Sequence, residues 1–282
     1  MILNSNIVGS DNVLRMRFMT YTYETDPHYN ARLAFYFGIV QDAAGLHAAC
    51  RHLSIPELQE QGKTWVILRS KMKILRYTAW PEDVLAETWA QQPLGFHMPR
   101  VVRGYDEQHK PLFEAMTQWA ILDLQHNFRP VRPQEITATL GIPSENDNAH
   151  YINPTLEKRI QFEASGSKVI FTYSPIIHLL DTDGNHHVNN ISYLNWVLDS
   201  LPNGFRNDYK VDEIDVSWIR QTFLGEHVRV FTGSPIEKVL EQEEPLLYHK
   251  IVRTEEDGSE TIVWEGMTHW KKRSLLVTTQ LV

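Results

Sequence analysis

The segment from residue 181 to residue 193 concentrates side chains that are able to do acid–base chemistry. Within it Asp183, Asn185 and His187 alternate, so in an extended chain all three would point to the same side. A carboxylate or an imidazole can activate water, and a carboxamide can orient that water or a substrate carbonyl. Backbone N–H groups of a following helix would stabilise negative charge on an acyl oxygen. This combination suits hydrolysis of an activated acyl group by water.

Two metal-binding interpretations fit the residues of this segment poorly. A calcium loop that began at Asp181 would need Gly at its sixth position and Glu at its twelfth, where the sequence has His186 and Ser192. A zinc site could use His186 and His187, but adjacent histidines seldom face one metal and no clear third ligand lies nearby. We therefore predict neither a metal nor any other cofactor.

Helix capping without catalysis is the strongest alternative for the same segment. Asn185 or Asn189 would be a good N-cap, and acidic side chains are favoured near helix N-termini. The spacing of the residues alone leaves capping and catalysis open.

Length and composition limit the class of protein. The 282 residues are 42% hydrophobic and 22% charged, which is typical of a globular protein with a sizeable core. The net charge of −8 argues against nucleic acid and anionic membrane surfaces as partners. Cys50 is the single cysteine, which excludes an internal disulfide. The chain lacks a secretion signal and an apolar run of about 18 residues, so we predict no membrane insertion and a cytoplasmic location.

Two local matches predict that the chain contains two copies of one module. Residues 75–84 resemble 219–228, with Arg, Thr, Glu and Val at the same offsets. Residues 114–119 resemble 265–270, where both copies contain Glu, Met, Thr and Trp. The two matches occur in the same order in each half, which is typical of a duplication.

Hydrophobic periodicity predicts one helix followed by several strands in each half. In the first half a helix is predicted over about 31–50, from Leu33, Phe37, Val40, Ala44 and Ala48, and strands from the alternating positions Val66, Leu68, Met72, Ile74, Val84, Ala86, Thr88, Phe113, Ala115, Trp119 and Ile121. In the second half the helix contains Ile191, Leu194, Leu198 and Leu201, and strands are predicted at 168–173, 211–222, 227–233, 246–254 and 260–271.

A helix that is apolar on most sides must be buried on most sides. A mostly antiparallel sheet that curls around such a helix buries the helix and one face of the sheet. We therefore predict an α+β protein of two tandem hot-dog modules. The N-terminal module covers 1–132, a polar linker 133–165 and the C-terminal module 166–282.

The segment Asp-Thr-Asp-Gly-Asn-His-His-Val-Asn-Asn-Ile-Ser-Tyr at 181–193, followed by Trp196, resembles the signature of plant and bacterial acyl-[acyl carrier protein] thioesterases. The first-half strand Trp65–Arg76, the Tyr77, Trp80 and Glu82 that follow it, and the overall length also fit this family. The resemblance implies a tandem hot-dog fold. It also implies a thioester hydrolase that releases free fatty acid from acyl carrier protein and so terminates chain elongation.

The resemblance assigns the catalytic positions to Asp183, Asn185 and His187. The family also uses a downstream Glu and Cys, and these positions fall on Gln221 and Thr222. Thr222 cannot supply a thiolate, and Gln221 can orient water but cannot act as a base. The base is then either Asp183 or His187, and the sequence leaves this choice open.

The first module contains Asp26-Pro-His-Tyr-Asn30 before its helix, a faint echo of the Asn-x-His-Val-Asn centre of the signature. Pro27 has no backbone N–H, so we predict that this module is catalytically silent. The resemblance implies that it shapes the acyl pocket, with Phe35, Phe37, Ile39, Val40 and Leu68 as candidate lining residues.

The implied partner is acyl carrier protein bearing a fatty acyl chain, and a homodimer is left open. An acidic carrier protein would need a local basic patch, for which the candidates are Arg69, Lys71, Lys73 and Arg76, then Lys271, Lys272 and Arg273. Two other functions are kept as alternatives. One is hydrolysis of acyl-coenzyme A, and the other is a non-catalytic acyl-binding or regulatory protein.

Overall fold

The computed structural model describes residues 8–133, 138–143, 147, 149–150 and 157–273. The chain forms two compact units. The first contains residues 1–159 together with Asp215–Ile219, and the second contains 160–214 and 220–282. The division therefore falls inside the predicted linker, although much of that linker lies outside the described residues. The sequence did not predict that a piece of the second half would belong to the first unit.

The first unit is an antiparallel sheet with one long helix. Its strands follow the order β1–β3–β4–β5–β2, and β6 pairs with β5. The strands are β1 (Leu14–Met19), β2 (Lys63–Ile74), β3 (Asp83–Ala90), β4 (Met98–Tyr105), β5 (Pro111–Asp123) and β6 (Arg129–Val131). The helices are α1 (Leu33–Ala49) and α2 (Ile55–Gln59).

Helix α1 forms the centre of this unit because it is apolar on nearly every side. It packs against β1, β3 and β4. Its buried residues are Leu33, Phe35, Tyr36, Phe37, Ile39, Val40, Ala43, Ala44, His47 and Ala48. The predicted helix over 31–50 is confirmed to within two residues at its start and one at its end.

The second unit repeats this arrangement. Its strands follow the order β7–β9–β10–β11–β8, which is the order of the first unit with each strand replaced by its later counterpart. The strands are β7 (Lys168–Tyr173), β8 (Tyr209–Trp218), β9 (His227–Ser234), β10 (Leu246–Thr254) and β11 (Glu260–Lys272), and the helices are α3 (Asn190–Asp199) and α4 (Asn203–Asp208). Each unit is thus a hot-dog module, and the α+β tandem prediction is confirmed.

One predicted strand boundary is wrong. The sequence predicted a strand over 211–222, whereas β8 ends at Trp218. The chain leaves the strand ladder because its backbone groups bond elsewhere. The Thr222 carbonyl accepts a hydrogen bond from the Val188 N–H at 2.8 Å, and the Gln221 carbonyl accepts one from Arg253 Nη1 at 2.7 Å. Gln221 and Thr222 therefore lie in the segment after the strand.

The longest described helix, α1, has 17 residues. Among the described residues no helix combines the length and hydropathy needed to cross a membrane.

Candidate active site

A closed loop precedes α3 and is held mainly by its own backbone. A short 3-10 turn, Leu179–Asp181, leads into it. The Asp181 carboxylate accepts a hydrogen bond from the His178 N–H at 2.8 Å, and its carbonyl accepts one from the Asn189 N–H at 2.7 Å. Thr182 and Val188 then form an antiparallel bridge. These bonds close the loop at its base, so the residues between 182 and 188 project from a fixed frame.

The three predicted catalytic residues lie together within this loop. The Asp183 N–H donates to the His187 carbonyl at 3.0 Å, and the His186 N–H donates to the Asp183 carbonyl at 2.9 Å. Asp183 Oδ1 accepts from the Asn185 N–H at 2.8 Å, which is the bonding pattern of an Asx-turn. The structure brings Asp183, Asn185 and His187 into one turn of the chain.

The sequence argument for an extended, alternating segment is wrong at this point. His186 has a φ of 61°, a left-handed conformation that extended chains do not contain. The Asp183 side chain bends the chain by bonding two residues ahead. The proximity of Asp183 to His187 therefore comes from a turn and not from strand alternation.

Asn189 is the N-cap of α3. Its side-chain oxygen accepts from the Ile191 N–H at 2.9 Å, and its carbonyl accepts from the Ser192 N–H at 3.0 Å. The capping interpretation is thus correct for Asn189, and Asn185 lies outside the cap. Two N–H groups of the first helical turn are already bonded within the helix end, which weakens the expectation that these groups stabilise an acyl oxygen.

His187 is half-buried, and its ring packs edge-on against Phe223 with 5.0 Å between ring centres. Burial lowers the pKa of the His187 imidazole, the Asp183 carboxylate raises it, and His186 lowers it. The net effect is a pKa below the usual value, so the ring is mostly neutral at neutral pH. A neutral imidazole near a carboxylate is able to accept a proton from water.

Thr222 has a structural place in the site. Its side chain is fully buried, and its carbonyl fixes Val188 at the end of the loop. The phenol of Tyr193 on α3 packs here, where burial raises its pKa to about 12 and hydrogen bonding with Thr222 partly offsets that rise. Gln221 is partly exposed, and Arg253 holds its carbonyl.

Phe223 and Arg253 contribute to the site but were missed in the sequence. Arg253 Nη1 also contacts Glu226 Oε2 at 3.4 Å, and that carboxylate accepts from the Phe223 N–H at 2.8 Å. Arg253 thereby fixes the segment that carries Gln221 and Phe223, the residue whose ring packs against His187. The repeat match pointed to Glu226, but no sequence signal pointed to Arg253, which is one of the two charged residues on β10.

The predicted basic patch is largely neutralised. Arg69 is buried and forms a two-pronged ion pair with Asp215, with Nη2 2.6 Å from Oδ2. Arg76 pairs with Glu82 at 2.8 Å and with Asp106 at 3.1 Å. Other members of the patch pair with carboxylates as well: Lys71 with Glu157 and Lys271 with Asp212. Lys73 and Lys272 are exposed, so the prediction of a contiguous positive surface is wrong for Arg69 and Arg76.

Within the described part of the chain, no three His, Cys, Asp or Glu side chains are grouped so that they could hold a metal ion.

The two repeated units define a tandem hot-dog protein with one loop rich in acid–base side chains. Models of the acyl-ACP thioesterase N-terminal and C-terminal domains match residues 11–140 and 168–272, where ACP is acyl carrier protein. The chain therefore belongs to the acyl-ACP thioesterase family, and it is a thioester hydrolase that releases fatty acid from acyl-ACP.

Similar proteins agree with this membership. An oleoyl-acyl carrier protein thioesterase of Coriandrum sativum is 23% identical over 92% of this chain and 76% of its own length. A Lactobacillus plantarum structure assigned as an oleoyl thioesterase superposes with a TM-score of 0.79 at 19% identity, covering 95% of this chain and 99% of that one. A 12:0-ACP thioesterase of Umbellularia californica superposes with a TM-score of 0.73 at 18% identity, covering 93% and 98%.

Proposed function

We propose that His187 is the general base of the hydrolysis, with Asp183 and Asn185 as its partners in the loop. The observation that carries this proposal is the environment of His187. Burial keeps the imidazole neutral, while the nearby Asp183 carboxylate favours its protonated form. A base in this setting accepts a proton readily once the reaction begins. The Asp183 Oδ1 atom is also engaged by the Asn185 N–H, which suits a supporting carboxylate.

The proposed chemistry uses water as the nucleophile. His187 takes one proton from water as the water oxygen bonds to the thioester carbonyl carbon. Asp183 stabilises the imidazolium that forms, and the Asn185 carboxamide orients the water or the substrate carbonyl. The tetrahedral intermediate then expels the thiolate of the carrier's prosthetic arm, and the imidazolium returns its proton to that sulfur. The products are a free carboxylic acid and a thiol, with no change in oxidation state.

A pH profile distinguishes the two possible bases. We expect kcat/KM of the wild type on acyl-ACP to fall on the acid side as one group protonates, with an apparent pKa below the usual histidine value of about 6.5. In Asp183→Asn the carboxylate that raises the pKa of His187 is gone, so the acid limb moves to still lower pH while the rate falls. If Asp183 were the base, Asp183→Asn would lose the limb, and His187→Ala would keep it.

His186→Asn is the matched control for the His187 variants. His186 is the exposed neighbour of His187, and Asn tolerates the left-handed backbone that this position requires. We expect this variant to keep most of the activity. Equal losses at positions 186 and 187 would show that the loop conformation matters and that His187 has no specific chemical role.

The carrier and the acyl chain are tested with one substrate panel. The similar plant proteins are named for oleoyl, palmitoyl and dodecanoyl substrates, so acyl chains from C12 to C18 belong in the panel. Each chain is supplied on acyl carrier protein and on coenzyme A. Preference for coenzyme A would favour the acyl-CoA alternative, and acyl binding without turnover would favour a non-catalytic acyl-binding protein.

A role in ending fatty acid synthesis, a cytoplasmic location and a homodimer are also parts of the proposal. Fractionation of the native cells and sedimentation of the purified protein test the location and the oligomeric state. Free fatty acid released on overexpression tests the role.

A further inference from the structure

Arg100 carries a positive charge inside the first unit. It lies on β4, is only 5% exposed, and burial lowers its pKa to about 10, so it remains a cation at neutral pH. No carboxylate among the described residues pairs with it. Its hydrogen bonds run from Nη1 to His47 Nδ1 at 2.9 Å and to Thr88 Oγ1 at 3.2 Å. A buried cation without a counter-charge is destabilising, so its retention calls for a partner.

The geometry fixes the protonation of His47. A guanidinium has only donors, so His47 Nδ1 must accept, and the proton of the neutral ring must lie on Nε2. His47 is fully buried on α1, and burial first, then Arg100 and Arg51, lower its pKa to about 2. Nε2 has no hydrogen-bond partner among the described residues. The Arg100–His47 pair therefore presents buried donors and lacks a negatively charged acceptor.

Apolar side chains border one side of the pair. Ala90 lies opposite Arg100 on β3, and Met98 lies two residues before Arg100 on the same face of β4. Both belong to a buried cluster with Ala48, Leu53, Leu58 and Leu140. A ligand that reaches Arg100 must therefore combine an anionic oxygen with an aliphatic body.

The second unit supplies an internal control for this interpretation. There the buried His249 uses both ring nitrogens, bonding Thr232 at 2.8 Å and Thr268 at 2.7 Å. The position equivalent to Arg100 is Leu247, since Leu247 lies opposite Thr268 as Arg100 lies opposite Thr117. The second unit therefore has an uncharged leucine in place of the arginine, and its histidine is satisfied. The unmatched charge is thus a property of the first unit and not a requirement of the fold.

We propose that Arg100 and His47 form a binding site in the first unit for the carboxylate of an aliphatic carboxylic acid. Two sources share this chemistry: the free fatty acid that the enzyme releases, and an acyl chain with a carboxyl group at its far end. The first source rests on the proposed function, because it requires that the protein releases fatty acid. Arg100 supplies charge-assisted hydrogen bonds, and His47 Nε2–H supplies a neutral one.

Equilibrium binding of dodecanoate and of 1-dodecanol tests the carboxylate requirement. We expect Arg100→Met to weaken dodecanoate binding at least tenfold and to leave dodecanol binding unchanged. Arg103→Met is the matched control, because Arg103 lies on the same strand and pairs with Glu114 at the surface. Equal dodecanoate affinity in the wild type and Arg100→Met would overturn the proposal and leave water as the partner of these donors.

A second variant and a second readout guard against misfolding. We expect Arg100→Met to unfold at a higher temperature than the wild type, because an apolar side chain replaces an unpaired buried charge. If that variant does not fold, Arg100→Lys keeps the charge, loses the forked geometry and should weaken dodecanoate binding by a smaller factor. In the wild type, the carbon-13 signal of bound [1-13C]dodecanoate should titrate at a lower pH than that of the free acid. Titration at an equal or higher pH contradicts the proposal.

Steady-state kinetics distinguish the two sources. If the product is the ligand, Arg100→Met raises the inhibition constant of dodecanoate at least tenfold with dodecanoyl-ACP as substrate. If a distal carboxyl is the ligand, the variant lowers at least tenfold the preference for an ω-carboxydodecanoyl chain over dodecanoyl. If the variant changes neither the inhibition constant nor the substrate preference, the proposed site is refuted. Hydrolysis without any Arg100 effect rejects this inference alone, whereas Arg100-dependent binding without hydrolysis rejects the proposed function alone.

Discussion

The loops that precede α1 and α3 have the same backbone and carry different side chains. In the first unit the Asp26 N–H bonds the Asn30 carbonyl at 2.8 Å, and the Ala31 N–H bonds the Thr78 carbonyl at 2.8 Å. In the second unit the Asp183–His187 bond is 3.0 Å and the Val188–Thr222 bond is 2.8 Å. The fourth residue counted from the aspartate is left-handed in both loops, Tyr29 with a φ of 59° and His186 with a φ of 61°.

This match corrects the sequence comparison of the two loops. The sequence placed His28 against the histidine of the signature, whereas the bonds align Asp26 with Asp183, His28 with Asn185 and Asn30 with His187. Asp26 Oδ1 accepts from the His28 N–H at 2.9 Å, as Asp183 Oδ1 does from Asn185. The sequence comparison was wrong by two residues because it matched the two histidines by residue type. The equivalent positions are instead defined by the backbone hydrogen bonds of the two loops.

The comparison separates the frame of the site from its chemistry. Both frames use an aspartate to bend the chain, and both have a tyrosine on the following helix: the Thr78 N–H donates to the Tyr36 hydroxyl at 2.8 Å, and Tyr193 bonds the Thr222 backbone. Only the second loop adds an imidazole at the last position of the turn. We infer that the aspartate serves structure in both units and chemistry in one.

The largest expected effect tests that separation directly. His187→Asn gives the second loop the residue that the first loop has at the same position, and we expect kcat/KM to fall by about 10³-fold, the range for loss of a general base. The reciprocal control is Asn30→Ala in the first loop, where we expect a change of less than about threefold. Comparable losses in both variants, measured on acyl-ACP, would mean that the first loop also takes part in catalysis.

The next effect concerns the buried histidines of the two interiors. Burial holds the pKa of His47 at about 2 and that of His249 at about 3, whereas both titrate near 6.5 when unfolded. Below pH 6.5 the two histidines therefore bind protons in the unfolded chain but stay neutral in the folded chain. The stability present above pH 6.5 is lost as the pH falls. At pH 5 each histidine should cost about 2 kcal/mol.

Urea unfolding of single variants at pH 7 and pH 5 checks this expectation. His47→Phe and His249→Phe should each reduce the pH dependence by a similar amount, although both lose stability at pH 7. The exposed His52→Gln should leave the pH dependence unchanged. A pH dependence unaffected by either core variant would show that the acid sensitivity comes from elsewhere.

Tyr36→Phe and Tyr193→Phe test whether the tyrosine hydroxyls beside the two loops contribute equally to the stability of the protein. Removing the Tyr36 hydroxyl leaves the buried Thr78 N–H without its acceptor, and an orphaned buried donor costs about 1–2 kcal/mol. We expect a similar loss for Tyr193→Phe, measured by chemical unfolding. A loss of stability in only one of the two variants would show that the two tyrosines do not have the same structural role.

The smallest effect comes from the aspartates that bend the loops. Asp26→Ala and Asp183→Ala each remove an acceptor of backbone N–H groups and should lower stability by about 1 kcal/mol. Activity should fall only in Asp183→Ala. Unfolding curves and acyl-ACP hydrolysis rates, measured for both variants, show whether both aspartates stabilise the fold and only Asp183 takes part in the chemistry.

The fold was largely predictable because each element has a clear hydrophobic pattern. Helix α1 and the strands β7, β9, β10 and β11 lie within one or two residues of their predictions. The predicted strand β8 was too long because residues 219–222 resemble a strand in composition. The carbonyls of Gln221 and Thr222 bond Arg253 and Val188 instead. Side-chain chemistry identified Asp183, Asn185 and His187, whereas the turn that joins them depends on backbone bonds that periodicity does not encode.

Partners that are distant in the sequence were the least predictable. Arg69 was taken for a surface cation because it alternates with Lys71 and Lys73 along a strand. Its burial depends on Asp215, which lies 146 residues further along. Arg100 drew no attention in the sequence, because its unmatched charge becomes visible only once the neighbouring strands and α1 are in place.

The pairing of Arg69 with Asp215 also has a consequence for synthesis. The first unit includes residues 215–219, so the ribosome must synthesise residues 160–214 of the second unit before the first unit has all its parts. Until Asp215 emerges, Arg69 lacks the buried carboxylate with which it forms its two-pronged ion pair. The chain therefore cannot mature one module at a time from its N-terminus, and a nascent chain halted near residue 160 should be sensitive to proteases. A halt beyond residue 219, with allowance for the ribosomal tunnel, should restore resistance in the first unit.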